Sequence, residues 1–226
     1  MAELRAVVFD AYGTLLDVHS AMARHAERIG PLWQQVSADW RTKQLEYSWV
    51  RSLTGPAAHR DFWRLTEEAL AWAASRHGIG DAAVLADVRQ AYRRLDAYPD
   101  APSTLRCLRD AGLGRAILSN GEPGMLRDAV QAAGIESLLD AVFSIEAVGV
   151  YKPDPRVYGL ATARFGVEPE RIAFVSSNAW DAFGATEFGF RVFWINRLGQ
   201  PAEYDLPATA TVLTSLAALP DAVASL

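Results

Sequence analysis

The sequence predicts an α/β fold in which a Rossmann-like, doubly wound parallel sheet core carries a helical bundle inserted after its first strand. Three observations predict it. Short apolar runs recur at 6–9, 114–118, 141–143, 172–175 and 192–195, each continuous rather than alternating, as strands buried on both faces require. Helical patterns at 122–133, 156–165 and 180–188 fall among the later runs, so strand and helix alternate. Between the first and second runs, residues 16–98 read as helix alone.

Each element has its own signal. Ala6-Val7-Val8-Phe9 ends at Asp10, and Gly13 follows in a turn. The inserted block reads as helices at 18–29, 31–52, 60–77 and 82–95, punctuated by Gly30, by Gly55-Pro56 and by Gly78 and Gly80. It also holds Trp33, Trp40, Trp49, Trp63 and Trp72. Tyr98-Pro99 and Ala101-Pro102 mark the return, so residues 1–15 and 99–226 form the expected core domain and 16–98 the inserted subdomain. The chain shows no internal repeat and no low-complexity stretch.

Composition narrows the function classes. A length of 226 residues suits one such domain, and a hydrophobic content of 50% is enough to bury a real core. The net charge of -5, with basic residues scattered, leaves no electrostatic footprint for nucleic acid. Arg89, Arg93 and Arg94 form the densest basic group and read as the solvated face of a helix. A single cysteine, Cys107, excludes an internal disulfide framework and suits a reducing cytosol. Within the periodic segment 104–111 it reads as a small buried hydrophobe. The N-terminus lacks a signal peptide's apolar stretch, and no run approaches the ~20 apolar residues of a membrane span, so the expectation is a soluble cytoplasmic protein.

The predicted topology places a site before any motif is considered. Ligands of open α/β sheets bind at the carboxyl ends of the strands. Asp10 ends the first run, Ser119-Asn120 the second and Ser176-Ser177-Asn178 the fourth, while Lys152 follows the third by a short loop. A carboxylate at the end of a buried strand is costly without partners. Asp10 therefore either caps the following turn or serves as a nucleophile, a role in which an ionised carboxylate needs no base. Ser119 or Asn120 caps the next helix or, at the same helix N-terminus, helps to hold an anion. Asp181 lies near a helix start, where the dipole favours it. Taken alone, Arg41 reads as an arginine on a solvated helix face and Lys152 as a solvated loop lysine. There is no zinc spacing, Walker loop or Ser-His-Asp signature, and Gly78-Ile79-Gly80 is too incomplete for a dinucleotide site. His19, His25, His59 and His77 all lie in the inserted block and read as structural or surface residues.

The polar endings carry a resemblance. Asp10-Ala11-Tyr12-Gly13-Thr14-Leu15-Leu16-Asp17 resembles the first motif of the haloacid dehalogenase superfamily, whose members form an aspartyl-enzyme intermediate. Leu118-Ser119-Asn120-Gly121, Tyr151-Lys152-Pro153 and Val175-Ser176-Ser177-Asn178-Ala179-Trp180-Asp181 follow in the family's order. The resemblance covers nearly the whole chain, and the helical insertion resembles the family's cap. Tyr12 selects the branch. Phosphatase members carry a second aspartate there, whereas tyrosine is a poor ligand for magnesium, and the last motif offers Asp181 without an adjacent acid. Without that ion a phosphoryl group loses much of its charge stabilisation. The patterns instead resemble the L-2-haloacid dehalogenase (type II) branch, which needs no metal or other cofactor. The alternatives are a magnesium-dependent phosphatase of the same superfamily and a non-catalytic binding protein of this fold.

The resemblance also implies roles. Asp10 is the nucleophile and Thr14 bonds to it. Arg41, within Trp40-Arg41-Thr42-Lys43-Gln44-Leu45-Glu46-Tyr47, meets the departing halide with a permanently protonated guanidinium. Thr42 stands where the family's best-known members carry glutamine, which leaves the pocket's shape open. Ser119 holds the substrate carboxylate and Asn120 faces the halide. Lys152 neutralises Asp10, with Ser176 and Asp181 holding that lysine or the hydrolytic water, and Tyr158, Asn178 and Trp180 complete the set. Ala11, Tyr12, Leu45 and Phe62 line the substrate, although Tyr12 and Phe62 also read as aromatics packed where core and insertion meet. The implied reaction converts a small L-2-haloacid to the D-2-hydroxy acid with inversion at C2, in a homodimer.

Overall fold

The computed structural model describes residues 3–226. Ala6, Val7, Val8 and Phe9 are fully buried, as a continuous apolar run at the centre of a sheet should be. Burying each of the larger side chains among them stabilises the fold by roughly 1.5–3 kcal/mol. These residues form β1 (Ala6–Phe9), which pairs in parallel with β2 (Gly114–Ser119) on one side and β4 (Ile172–Ser176) on the other. β3 (Ala141–Ser144), β5 (Arg191–Ile195) and β6 (Thr211–Leu213) complete a six-stranded sheet in the order β3-β2-β1-β4-β5-β6. Strand order reverses across the β1–β4 pair, so Asp10 and the Ser176–Asn178 turn share the switch point.

The insertion is helical. α1 (Ser20–Ala23), α2 (Ala26–Ile29), α3 (Trp33–Leu53), α4 (Phe62–Arg76) and α5 (Ala82–Tyr92) lie between β1 and β2. The core helices are α6 (Ala101–Asp110), α7 (Pro123–Ala132), α8 (Pro155–Phe165) and α9 (Ala179–Phe188), followed by the short α10 (Leu206–Thr209) and α11 (Leu219–Ala224). Among the described residues no helix is long and apolar enough to cross a membrane.

The two segments that join sheet to insertion run side by side. Leu16 and Ala97 form an antiparallel bridge, Tyr98 N–H donates to the Leu15 carbonyl at 2.9 Å, and Asp17 N–H to Asp96 O at 2.8 Å. Inside the insertion a polar chain locks three helices. Trp40 Nε1 donates to Thr66 O at 2.9 Å, Gln44 Nε2 to Thr66 Oγ1 at 3.0 Å, and the Tyr92 hydroxyl to Gln44 Oε1 at 3.2 Å. Each of these side chains is buried, so the satisfied network fixes one arrangement of α3, α4 and α5.

Several sequence expectations need correction. The single helix expected at 18–29 is two short ones, because the backbone leaves helical geometry at His25, with φ -117° and ψ 16°. Cys107 is exposed: α6 buries Ala101, Thr104, Leu105 and Leu108, and position 107 falls outside that stripe. The basic group is not a plain solvated face. Arg93 pairs with Asp128 on α7 at 2.7 Å and lies 4.2 Å over the Trp63 ring, fastening the insertion to the core. Neither Ser119 nor Asn120 caps α7, whose cap is Glu122, accepting from the Gly124 and Met125 amides at 2.7 and 3.0 Å.

Candidate active site

β1 delivers Asp10 to the carboxyl edge of the sheet with only 5% of its surface exposed. The chain then turns sharply. Gly13 adopts φ +92°, a conformation that a side chain would resist, and its N–H donates to Leu16 O at 2.8 Å. The Ala11 carbonyl accepts from the amides of Leu15 and Leu16, both at 3.0 Å. The turn brings Thr14 back over Asp10.

Three side chains hold the carboxylate. Asp10 Oδ2 accepts from Asn178 Nδ2 at 2.8 Å and from Thr14 Oγ1 at 3.1 Å, whereas among the described residues Oδ1 accepts from Lys152 Nζ alone, at 3.3 Å. Oδ1 is therefore the less committed oxygen. Thr14 Oγ1 in turn accepts the Ser177 amide at 2.9 Å, so the turn after β4 fixes the group that fixes Asp10.

Lys152 has no exposed surface and lies between two carboxylates, with Asp181 Oδ2 at 2.9 Å. Its backbone N–H donates to Asn120 Oδ1 at 3.0 Å. Its loop is tied to the insertion, since Tyr151 N–H donates to Ser52 Oγ at 3.0 Å and the Tyr151 hydroxyl donates to Arg60 O. Asp181 also accepts from the Tyr158 hydroxyl at 2.8 Å. Burial and the neighbouring Asp10 charge raise the Asp181 pKa to about 6 against the opposing pull of Lys152. Burial, and then the Asp181 charge, push the Tyr158 hydroxyl well above its ordinary value, so it remains a donor. This packing depends on Gly184, where a Cβ would stand 2.7 Å from the Tyr158 oxygen and 2.5 Å from Pro153 Cβ.

Arg41 arrives from α3. Its Nη2 donates to the Tyr12 carbonyl at 3.3 Å, an oxygen that also accepts from Asn178 Nδ2 at 3.2 Å. The Tyr12 ring is buried against the insertion, stacked on Tyr92 at 5.8 Å and tilted to Phe62 at 6.2 Å. Burial raises its hydroxyl pKa well above the usual value, and that hydroxyl has no hydrogen-bond partner among the described residues. Arg41 and Asn178 form part of the wall of a cleft of about 540 Å³ between insertion and core, with His19, Tyr98, Trp180 and Arg197. A second cleft of about 480 Å³ reaches Lys152 from another side. Trp180 lines both, edge-on to Trp49 at 5.4 Å.

The structure thus brings Asp10, Thr14, Lys152, Tyr158, Asn178 and Asp181 into one bonded group, with Arg41, Tyr12, Asn120 and Trp180 around it. Ser176 is buried beside this group, but its Oγ accepts the Asn178 amide at 3.1 Å rather than a bond from the lysine. Ser119 Oγ accepts the Gly121 amide at 3.1 Å, and Ala11 is fully buried in the turn. Leu45 is half-buried one turn beyond Arg41, and Thr42 is exposed. Sequence reasoning missed Tyr92, Tyr98 and Arg197, which no motif singles out. Among the described residues no group of three or more His, Cys, Asp or Glu is arranged to hold a metal ion.

Residues 4–189 match the haloacid dehalogenase-like hydrolase family. The chain is 48% identical over 217 residues to (S)-2-haloacid dehalogenase 4A of Burkholderia cepacia, spanning 96% of this chain and 93% of the relative. It is 48% identical over 221 residues to (S)-2-haloacid dehalogenase 1 of Pseudomonas sp. (strain CBS-3), spanning 97% and 96%. The structure of L-2-haloacid dehalogenase from Xanthobacter autotrophicus with chloropropionic acid covalently bound superposes with a TM-score of 0.90 at 40% identity, covering 99% of each chain. A family match over most of the chain, together with close relatives over its full length, shows that the protein belongs to the haloacid dehalogenase-like hydrolases.

Proposed function

We propose that this chain hydrolyses small L-2-haloacids to D-2-hydroxy acids through an ester on Asp10. The observation that carries the reading is the state of the Asp10 carboxylate: Oδ2 holds two hydrogen bonds while Oδ1 keeps one long contact to Lys152. Oδ1 attacks C2 from the side opposite the halogen. The C2–halogen bond breaks and the halide leaves with the bonding pair, inverting C2. Arg41, reaching over the turn from α3, meets the charge that develops on the halogen. Water then attacks the Asp10 carboxyl carbon and gives a proton to Asp181. The bond from that carbon to the ester oxygen breaks, so the hydroxy acid departs with an Asp10 oxygen and takes up a proton.

Lys152 has two duties here, one in each step. It draws negative charge from Asp10 during attack and holds Asp181 ready for the water. Ser119, Asn120, Phe62, Leu45 and Trp180 are assigned to the substrate's carboxylate, halogen and alkyl group. We further assign the protein to the cytoplasm and to a homodimer. The latter is supported by Leu32, Val50 and Leu53, exposed apolar residues along and just before α3, and light scattering tests it.

Halide release from L- and D-2-chloropropionate, with and without EDTA and beside a generic phosphate ester, tests the assignment. Release from the L form alone, unchanged by EDTA, is expected. Magnesium-dependent phosphate release without halide would overturn it.

A further inference from the structure

Arg197, on the loop after β5, stands outside the group assigned above, yet its guanidinium is directed at three parts of the hinge. Nη1 donates to Asp100 Oδ2 at 2.8 Å and Nη2 to Asp100 Oδ1 at 3.0 Å, a fork on a carboxylate. Nη2 also donates to the Thr14 carbonyl at 3.3 Å, and the guanidinium carbon lies 4.1 Å over the Tyr98 ring. Asp100 is further fixed by the Leu216 amide at 2.8 Å. Both partners of this ion pair are largely shielded, with side-chain exposures of 17% and 16%.

The contacts matter because of where they fall. Thr14 lies on the segment leaving the sheet and Tyr98 on the segment returning, and the two segments pair at Leu16 and Ala97. Thr14 is the residue whose Oγ1 donates to Asp10 Oδ2 and accepts the Ser177 amide. Its side chain is thus fixed from the turn after β4 and its carbonyl from Arg197. Releasing the carbonyl leaves the Thr14–Leu15 peptide held by the Leu15 amide on Ala11 O alone, and the hydroxyl that orients Asp10 is held less tightly with it. Lysine cannot replace this, since a single ammonium cannot present a planar fork to Asp100 and reach Thr14 O together.

We propose that Arg197, anchored by Asp100, is a positioning residue for the reaction at Asp10 and acts through Thr14. The proposal rests on the dehalogenase reading for its kinetic part and on geometry alone for its structural part. Displacing a nucleophile by a fraction of an ångström to an ångström is enough to cost up to about 100-fold in rate.

The test compares Arg197→Lys, Thr14→Ala and the double variant, with Arg115→Lys as control. Arg115, buried at the opposite end of β2 from the site, also forms a 2.8 Å ion pair, with the more exposed Asp140. In single-turnover halide release from L-2-chloropropionate, Arg197→Lys should slow the first step about 10- to 100-fold while KM moves less than about 3-fold. Arg115→Lys should leave that step unchanged even if it lowers the melting temperature equally. In the Thr14→Ala background, Arg197→Lys should add less than a factor of about 2, since the hydroxyl it positions is gone. A full additional loss there, or a normal first step in Arg197→Lys, would overturn the proposal. Hydrogen exchange of the peptide covering 11–18, without substrate, is the second readout. It should rise in Arg197→Lys and not in Arg115→Lys. Unchanged exchange overturns the structural part whether or not the protein releases halide.

Discussion

Lys152 Nζ stands 2.9 Å from Asp181 Oδ2 and 3.3 Å from Asp10 Oδ1, so the buried lysine is bonded more closely to Asp181 than to the nucleophile. Two carboxylates around one ammonium leave a formal excess of negative charge in a site shielded from water. Part of that excess is relieved by holding Asp181 at a raised pKa rather than by tightening the bond to Asp10. On the proposed mechanism the roles are separate: Asp10 attacks C2 and Asp181 takes the proton of the water.

The first prediction follows from that titration. Burial, aided by the Asp10 charge, raises the Asp181 pKa to about 6, so Asp181 becomes a base only as pH rises through that value. Ester hydrolysis should fall on the acid side of pH 6 while ester formation persists, and mass spectrometry of protein quenched at pH 5 should show the substrate adduct accumulating. Stability runs in the opposite sense. A raised native pKa contributes stability that is full below the ordinary carboxylate range and is lost as pH rises through about 6. Equal adduct levels at pH 5 and pH 7.5 would remove Asp181 from this role.

Arg41 should matter to the first step alone. Its Nη2 donates to the Tyr12 carbonyl at 3.3 Å and its guanidinium also bonds to the buried Tyr92 hydroxyl. Arg41→Ala is expected to slow single-turnover halide release by about 100- to 1,000-fold, the usual loss when a charge-stabilising donor is removed. Decay of preformed ester should change far less. A larger effect on decay than on release would reverse the assignment.

Gly184 is a packing constraint on the second step. A Cβ there would stand 2.7 Å from the Tyr158 hydroxyl oxygen, which donates to Asp181 at 2.8 Å. Gly184→Ala should destabilise the protein by about 1–3 kcal/mol through overpacking. Denaturant unfolding measures that loss, and the adduct should persist longer in the same variant. A variant as stable as the parent, with normal ester decay, would mean that Tyr158 yields without consequence.

Two buried tyrosines should respond differently to loss of the hydroxyl. Tyr92→Phe leaves Gln44 Oε1 without its donor, at a cost of about 1–3 kcal/mol. The Tyr12 hydroxyl has no partner among the described residues, so Tyr12→Phe should cost distinctly less. Melting temperatures of the pair decide the order, and a greater loss from Tyr12→Phe would contradict it.

The sheet was legible because buried parallel strands read as apolar runs: β1 and most of β4 are such runs, and β2 and β5 are once past Arg115 and Arg191. β6 was not, because three residues at an edge with two of them exposed carry no such pattern. Asp10, Lys152 and Asp181 could be proposed because each lies in a contiguous motif at or just beyond a strand end. Arg197, Tyr98 and Tyr92 could not, since their importance arises from the hinge and from the Tyr12 stack, which join residues far apart in sequence. Cys107 shows the limit of periodicity: neighbouring positions on one helix differ in burial by the turn of a single residue.

The central claim is that Asp10 itself carries oxygen into the product. A single turnover of L-2-chloropropionate in water enriched in oxygen-18, with protein in excess, tests it directly. The covalent route yields an unlabelled first hydroxy acid and one oxygen-18 atom in the Asp10 carboxylate, found by mass spectrometry of the peptide that contains it. Oxygen-18 in the first product with Asp10 unlabelled would mean that water attacks C2 directly, and the covalent mechanism would be wrong.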